Sequence, residues 1–332
     1  MAEGEFDLIA RLVERLPSAS PRLRLGSGDD AAVVEGGRTS ATTVDAVVEG
    51  VHFTLPEFPL AAVGRKALAS ALSDLAAMGA DPGEAYVVLA APDSLGSDAL
   101  LEVADGIAEV AEREGVAIAG GDFTRGPALV LAVTCVGYEG EVPLVGRGGA
   151  EAGEVVVVTG ELGGAAAGLQ LLSGAGGTDV SEGDRDALVA RQLDPRPRLA
   201  AGRALAASGA TAMIDVSDGL GADAGHLADS SGVGLEIELT SVPGPPGLAP
   251  ALGGADAAER AVAAGGEDYE LLATLPPERL EGAREAVAAT GTALAQVGAV
   301  RAGQGAVLRG RDGAEVEAPG FDHRRGSRAG SS

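Results

Sequence analysis

Apolar positions recur with two periods along the chain. In EFDLIARLVERL, Phe6, Ile9, Val13 and Leu16 return at helical spacing, which predicts an amphipathic helix. SPRLRLGSGDDAAVV predicts a strand or turn, and TSATTVDAVVEGVHF, rich in β-branched residues, predicts a strand with Asp45 in mid-run. LAAVGRKALASALSDLAAMGADPGE predicts a long helix stopped by Gly79 and Pro82. Leu68, Leu72 and Leu75 form its apolar stripe, while Lys66, Ser70 and Asp74 follow i,i+4 steps along a separate side. AYVVLAAP predicts a buried strand, SDALLEVADGIAEVAEREG a helix capped by Ser97, and VAIAGGDF and PALVLAVTCVGYEG two more strands. Strands and helices mix here without strict alternation, which favours an α+β sheet with helices on one face.

The segment Val142 to Glu154, VPLVGRGGAEAGE, is Gly-rich and lacks apolar periodicity, so it predicts a boundary between a domain over 1–142 and another over 143–323. The second half opens with strand EVVVVTG and helix GGAAAGLQLLSG, and continues through helices in RDALVARQL and PRLAAGRALAASG. TAMIDVSDG predicts a strand ending in acids, before helix GADAGHLADSSG. Further strands are predicted in VGLEIELTSVP, YELLATLPP, TALAQVGAV and GAVLRG, with a helix in PERLEGAREAVAATG. The tail 324–332 predicts disorder. GGAAAG misses the G-x-G-x-x-G spacing, and tight strand–helix packing explains its small residues better than dinucleotide binding.

A length of 332 residues suits two domains, and 46% apolar residues can build their cores. Aromatics reach only 2%, so those cores rest on Ala, Val and Leu. The net charge of −25 opposes a nucleic-acid groove or an anionic membrane surface. One cysteine, Cys135, excludes a disulfide within the chain and predicts a buried inert thiol. The acidic, amphipathic N-terminus is unlike a signal peptide, and no apolar run is long enough to span a bilayer, so the expectation is a soluble cytoplasmic protein.

Charge changes the picture most through its placement. Asp29 and Asp30 in GSGDDAAVV, Asp45, Asp74, Asp122 in AGGDF, Asp215 and Asp218 in IDVSDGL, and Glu267 and Asp268 in GGEDYE lie beside glycines or apolar runs. A bare carboxylate there is costly. Any single one can cap a helix or pair with arginine, but the repetition favours a shared cation. Three histidines and one cysteine cannot make a soft-metal site, so all-oxygen ligation points to Mg²⁺, Mn²⁺ or Ca²⁺. The EF-hand pattern is absent, and Mg²⁺ completes its shell with substrate phosphates, which implies a nucleotide or other phosphate substrate. Lys66 is the chain's only lysine and lies in neither a P-loop nor a protein-kinase context. Arg125 and Arg147, in Gly-rich loops, are candidates to meet a phosphate, with surface ion pairs as the alternative. His52 is another candidate, with a structural role as its alternative.

The motifs GEFDLIARL, GSGDDAAVV, TTVDAVVEGVHF, ALSDLAAMGADP, GGDFTRGP, IDVSDGL and GGEDYELL, with the short GFDH at 320–323, resemble in order and spacing those of thiamine-monophosphate kinases. The resemblance runs from Glu3 to about His323. It implies an α/β (α+β) two-domain fold like that of aminoimidazole ribonucleotide synthetase, with mixed sheets, helices packed on one face, and N-terminal sheets pairing across a homodimer. It also implies transfer of a phosphoryl group from ATP to thiamine monophosphate with several Mg²⁺ ions. By motif, Asp30, Thr43, Val44 through its carbonyl, Asp45, Asp74, Asp122, Asp215 and Asp218 resemble the family's metal ligands. Gly121, Asp122, Arg147 and Ser217 resemble its nucleotide contacts, and His52, Glu267 and Phe321 its contacts to thiamine phosphate. Thr43-Val44-Asp45 departs from the Ser-Thr-Asp often found in the family, a change that a main-chain ligand tolerates. The acceptor is itself an anionic phosphate, so no general base is expected. Related selenophosphate synthetases need a reactive Cys or selenocysteine near the N-terminus, and hydrogenase-maturation relatives a C-terminal cysteine; neither is present. The competing readings are an aminoimidazole ribonucleotide synthetase and a non-catalytic acidic module that binds metal or nucleotide.

Overall fold

A computed structural model describes residues 23–25, 32–36 and 38–320. The expected first helix, Asp29, Asp30, Phe321 and the tail lie outside the described residues.

Two six-stranded sheets are present. The first contains β1 (Leu23–Leu25), β2 (Ala32–Gly36), β3 (Arg38–Val48), β4 (Asp81–Ala91), β5 (Ala117–Arg125) and β6 (Val130–Tyr138), in the order β1-β2-β3-β6-β4-β5. Only β4 and β5 pair in parallel, joined by the crossover helix α2 (Ser97–Glu114); the other pairs are antiparallel. Helix α1 (Leu60–Ala77) packs on β3 and β6 from the same side as α2.

Helices α1 and α2 cross closely because glycine stands at the contact on both. A Cβ on Gly64 would lie 2.0 Å from the Val103 carbonyl oxygen, and one on Gly106 1.9 Å from that of Ala61. Ser97 is the first residue of α2 rather than its cap, which is Gly96; the αL residue Gly115 ends the helix.

The second sheet contains β7 (Val155–Thr159), β8 (Ala212–Val216), β9 (Gly234–Glu238), β10 (Glu270–Leu275), β11 (Leu294–Arg301) and β12 (Gly305–Arg309), ordered β12-β9-β11-β7-β10-β8 and antiparallel except for β12 with β9. Strands β7 and β10 and the edge strand β8 are buried along their whole length. Val155 and Val157 face a core shared with Leu68, Leu72 and Leu75 of α1, together with α5 (Leu199–Ala207) and α9 (Leu280–Ala288). Val156 and Val158 face a second core with α3 (Gly164–Leu172) and α6 (Leu220–Ser231). One-sided helix cover therefore describes the first sheet, while the second has helices on both faces. Helices α7 (Leu248–Leu252) and α8 (Ala255–Ala264) occupy a stretch where the apolar pattern predicted none. Helix α4 (Glu182–Leu193) starts at Ser181, whose hydroxyl accepts the Asp184 N–H.

Helix α1 is thus the wedge between the layers: it touches β3 and β6 on one side and α5, β8 and β10 on the other. Strand β4, expected to be buried, buries only one face. Tyr86 and Val88 are each 42% exposed, and Val44 on β3 is 68% exposed. The register aligns Val44, Thr134 and Tyr86 in one row across the sheet, and Ala46, Ala132 and Val88 in the next. The outer face of the first sheet is therefore an open, largely apolar surface.

Candidate active site

The C-terminal end of α1 brings acids from both layers together. Thr43 and Asp45, two residues apart on β3, share its inward face. The Thr43 hydroxyl donates to Asp74 of α1. The neighbouring Ser73 hydroxyl donates to Oδ2 of Asp215 on β8 at 2.7 Å, across 142 residues of sequence. Ser73 and Asp215 are both buried. Adjacent residues of one helix thus tie a carboxylate to each sheet.

Two neighbouring groups register the accumulated charge. Cys135 lies opposite Thr43 in the β3–β6 ladder. Burial, reinforced by the charges of Asp74 and Asp45, pushes its thiol up to about 12, which keeps it protonated and inert as expected. Burial and the charges of Glu267, Asp45, Asp215 and Asp74 push the Tyr269 hydroxyl well above its ordinary value. Acids from four separate motifs, one of them the motif of Tyr269 itself, therefore act on one side chain.

The loop after β8 carries Ser217 and Asp218. It is held by Asp223 of α6, whose buried Oδ2 accepts the N–H groups of Ser217, Asp218 and Gly219, each at 3.1 Å. Beside this loop runs the segment before β10, where Glu267 (φ 68°) and Tyr269 (φ 51°) both adopt left-handed backbone. Such angles are costly for residues other than glycine, roughly 1–3 kcal/mol each, and persist where the surroundings over-determine them. Here Glu267 N–H donates to the Ser217 carbonyl at 2.8 Å and Tyr269 N–H to that of Val216 at 3.0 Å.

This twist sends neighbouring acids to different partners. Glu267 forms an ion pair with Lys66 at 2.6 Å and accepts from Gln192 Nε2 at 2.7 Å. Lys66 also donates to the carbonyl of His52 at 3.1 Å. The ring of His52 accepts the Val48 N–H on Nδ1 at 3.0 Å, which puts the proton of the neutral ring on Nε2. Asp268 accepts the N–H groups of Gly163 (2.6 Å) and Ala165 (3.0 Å) at the start of α3. The GGAAAG turn is therefore occupied by the chain's own carboxylate.

Other expected site residues lie apart from this cluster. Gly121 and Asp122 sit on the exposed edge strand β5. Asp45, Val133, Val87 and Gly121 form one row of the sheet, three strand spacings or roughly 14 Å from end to end. Gly121 and Asp122 instead border a cavity of about 480 Å³ between β5 and α2, walled by Val87, Leu89, Ile107 and Phe123. Arg125 pairs with Asp93 at 2.9 Å. Arg147 lies in the segment joining the sheets; burial and the Arg147 charge together lower the pKa of His226 on α6. The exposed side chain of Val44 has no ligating atom, so only its main-chain carbonyl could serve as a ligand.

Sequence reasoning missed Ser73, Gln192 and Asp223. Ser73 adjoins Asp74, and Asp223 lies one turn into the helix after the SDG motif, a spacing that suits an N-terminal cap. Gln192 carries no signal. Among the described residues, no three acids, histidines or thiols converge closely enough to hold one metal ion. Mg²⁺ needs only one or two carboxylates, with water and phosphate oxygens completing its shell. The hydroxyl and carboxylate oxygens of Thr43, Asp74 and Asp215 fit that requirement.

Two layers joined by a helix that gathers acids define the class. Residues 28–138 match the AIR synthase related protein N-terminal domain, and residues 151–311 the corresponding C-terminal domain. Within that class, the thiamine-monophosphate kinase of Escherichia coli K12 is 38% identical over 332 residues, covering 97% of this chain and 99% of its own. That of Mycobacterium tuberculosis H37Rv is 41% identical over 244 residues, 72% of this chain and 70% of its own. The solved structure of AaThiL complexed with AMPPCP and TMP has a TM-score of 0.84 at 33% identity, covering 97% of this chain and 99% of that one. The chain belongs to the thiamine-monophosphate kinase family. Likeness to E. coli HypE, a hydrogenase maturation protein, at 23% identity and a TM-score of 0.68, shows the shared fold alone. Among the described residues no helix is long and apolar enough to cross a membrane.

Asp268 provides a test of the local electrostatics. Burial, with help from the Glu270 charge and against the two N–H donors and Arg191, raises its pKa to about 7. Folding therefore favours the protonated form. That contribution is complete below the ordinary value of 3.8 and is lost as pH rises through about 7. Urea unfolding of the wild type and of Asp268→Asn between about pH 5 and pH 8 should show the wild type losing roughly 1–3 kcal/mol relative to the variant. Parallel pH profiles would contradict the assignment.

Proposed function

We propose that the protein transfers the γ-phosphoryl group of ATP directly to thiamine monophosphate, giving ADP and thiamine diphosphate. The observation that carries the reading is the joining of Thr43–Asp74 and Ser73–Asp215 at one end of α1, in a chain of this kinase family. The bond from the γ-phosphorus to the oxygen bridging to the β-phosphate breaks, and one to an oxygen of thiamine monophosphate forms. The acceptor oxygen is already anionic, so the site needs no base. It needs two anions held in line against their repulsion. Bound Mg²⁺ would supply charge neutralisation and Lewis acidity between carboxylate and phosphate oxygens.

Asp30, Thr43, the Val44 carbonyl, Asp45, Asp74, Asp122, Asp215 and Asp218 are the proposed ligands for those ions. Ser217 would reach the nucleotide through its hydroxyl, since its N–H is held by Asp223. Gly121, Asp122 and Arg147 complete the nucleotide contacts, and the apolar cavity beside Gly121 suits a base. His52 would donate from Nε2 to a phosphate oxygen, and Glu267 and Phe321 would contact the thiamine moiety. The domains run over 1–142 and 143–323, with the site at their junction. A cytoplasmic location, where ATP is available, fits this reading.

In a coupled assay, ADP release should require both thiamine monophosphate and Mg²⁺, and formylglycinamidine ribonucleotide should not replace the acceptor. Asp215→Asn and Asp30→Asn should each lower kcat by about 100-fold or more with the circular dichroism spectrum unchanged. Near-normal turnover in either variant would remove that residue from the ligand set. ATP binding without turnover would instead favour a non-catalytic module.

The open outer face of the first sheet supports a homodimer built by sheet-to-sheet contact. Val44, Tyr86 and Val88, on strands either side of β6, leave too much apolar surface exposed on one face for a face left in water. Sedimentation equilibrium should give a dimer for the wild type and a monomer for Val44→Lys/Val88→Lys. An unchanged dimer would place the interface elsewhere.

A further inference from the structure

Lys66 is the only lysine in the chain, and it is 1% exposed. A buried ammonium is costly unless it is paired and hydrogen-bonded, so its partners show what it is for. It lies among groups from four different segments. From α1 its Nζ reaches Glu267 Oε1 at 2.6 Å, in the segment before β10. It reaches the His52 carbonyl at 3.1 Å, in the turn after β3. It stands 5.3 Å over the ring of Phe58. Gln192 of α4 holds the other Glu267 oxygen, Oε2, at 2.7 Å.

With both carboxylate oxygens engaged and its backbone in the left-handed region, Glu267 keeps one orientation. The same ammonium restrains the turn that carries His52, whose ring is set by the Val48 N–H. Lys66 therefore couples, through one cation, the two described groups assigned above to thiamine phosphate, one from each layer. Neither Lys66 nor Gln192 is engaged with the acids at the far end of α1, so their role is separate from the metal-binding oxygens.

We propose that Lys66 is the positioning residue for the thiamine monophosphate site, with Gln192 as its second anchor on Glu267: together they hold Glu267 and His52 at their binding separation before the substrate arrives. This rests on the reading of Glu267 as a substrate contact. Lys66 acts through Glu267 and the His52 turn, not on the transferred phosphoryl group. Loss of preorganisation should therefore fall on the acceptor and spare ATP.

The test is a steady-state double-mutant cycle on the full-length protein, with KM measured for both substrates. Lys66→Met should raise KM for thiamine monophosphate about tenfold or more and leave KM for ATP within about threefold. In a Glu267→Gln background, the added effect of Lys66→Met should shrink to about threefold or less, because its main route of action is gone. If Lys66→Met folds poorly on its own, the double variant removes the unpaired buried charge and should recover thermal stability while KM for thiamine monophosphate stays high. Gln192→Leu should raise the same KM selectively, by about threefold or more. Equal Lys66→Met effects in both backgrounds, or parallel changes in the two KM values, would overturn the positioning role. Glu267→Gln alone tests the underlying reading: an unchanged KM for thiamine monophosphate in that variant would show that Glu267 is no substrate contact.

Discussion

The structure depends on holding like charges close together. Asp74 of α1 and Asp215 of β8 are held at one end of that helix by the hydroxyls of Thr43 and Ser73, with Asp45 alongside on β3. In a protein interior such charges repel far more strongly than in water. The effect is visible in Cys135 and Tyr269, both pushed toward their neutral forms by burial and by these acids. Neutral hydroxyls can orient carboxylates but cannot cancel their charge. The arrangement is therefore consistent with the proposed binding of a cation between these carboxylates and a phosphate.

Helix α1 is the mechanical consequence. One side carries Leu68, Leu72 and Leu75 into a core shared by both sheets, and the glycine contact with α2 lets it lie deep between the layers. Lys66, near its middle, holds Glu267 and the His52 turn, and Ser73 and Asp74, near its end, hold the acids. The groups proposed to meet the acceptor and those proposed to meet metal are thus set about two turns apart along one helix. The strained backbone at Glu267 and Tyr269 fits the same logic, since a segment pinned to β8 can keep angles that a free loop would relax.

Much of this was legible in the sequence, and the rest was hidden for identifiable reasons. The i,i+4 series Lys66, Ser70, Asp74 showed that α1 has a polar side, but not that Lys66 would face Glu267, because spacing is silent about contacts between distant segments. Glu267 and Asp268 read as a pair of acids at a strand end. The left-handed backbone turns one to Lys66 and the other to α3, and nothing in GGEDYE marks that turn. AYVVLAAP read as buried because its residues are apolar on both faces; the structure leaves one of those faces open. Asp122 belonged to the acidic series by motif, yet the register sets it beside Val88 on the edge strand, away from Thr43. The short helix α7 and its neighbour α8 were missed where Gly and Pro interrupt the periodicity.

The charge constraint at the end of α1 has a direct thermodynamic signature. Thermal unfolding of the wild type and of Asp74→Asn, each with and without millimolar Mg²⁺, separates repulsion from packing. Relief of repulsion predicts that Asp74→Asn is the more stable protein without Mg²⁺, and that Mg²⁺ raises the Tm of the wild type clearly more than that of the variant. Equal Mg²⁺ shifts, together with a variant less stable than the wild type in the absence of the metal, would contradict the claim that these acids are gathered to receive a cation.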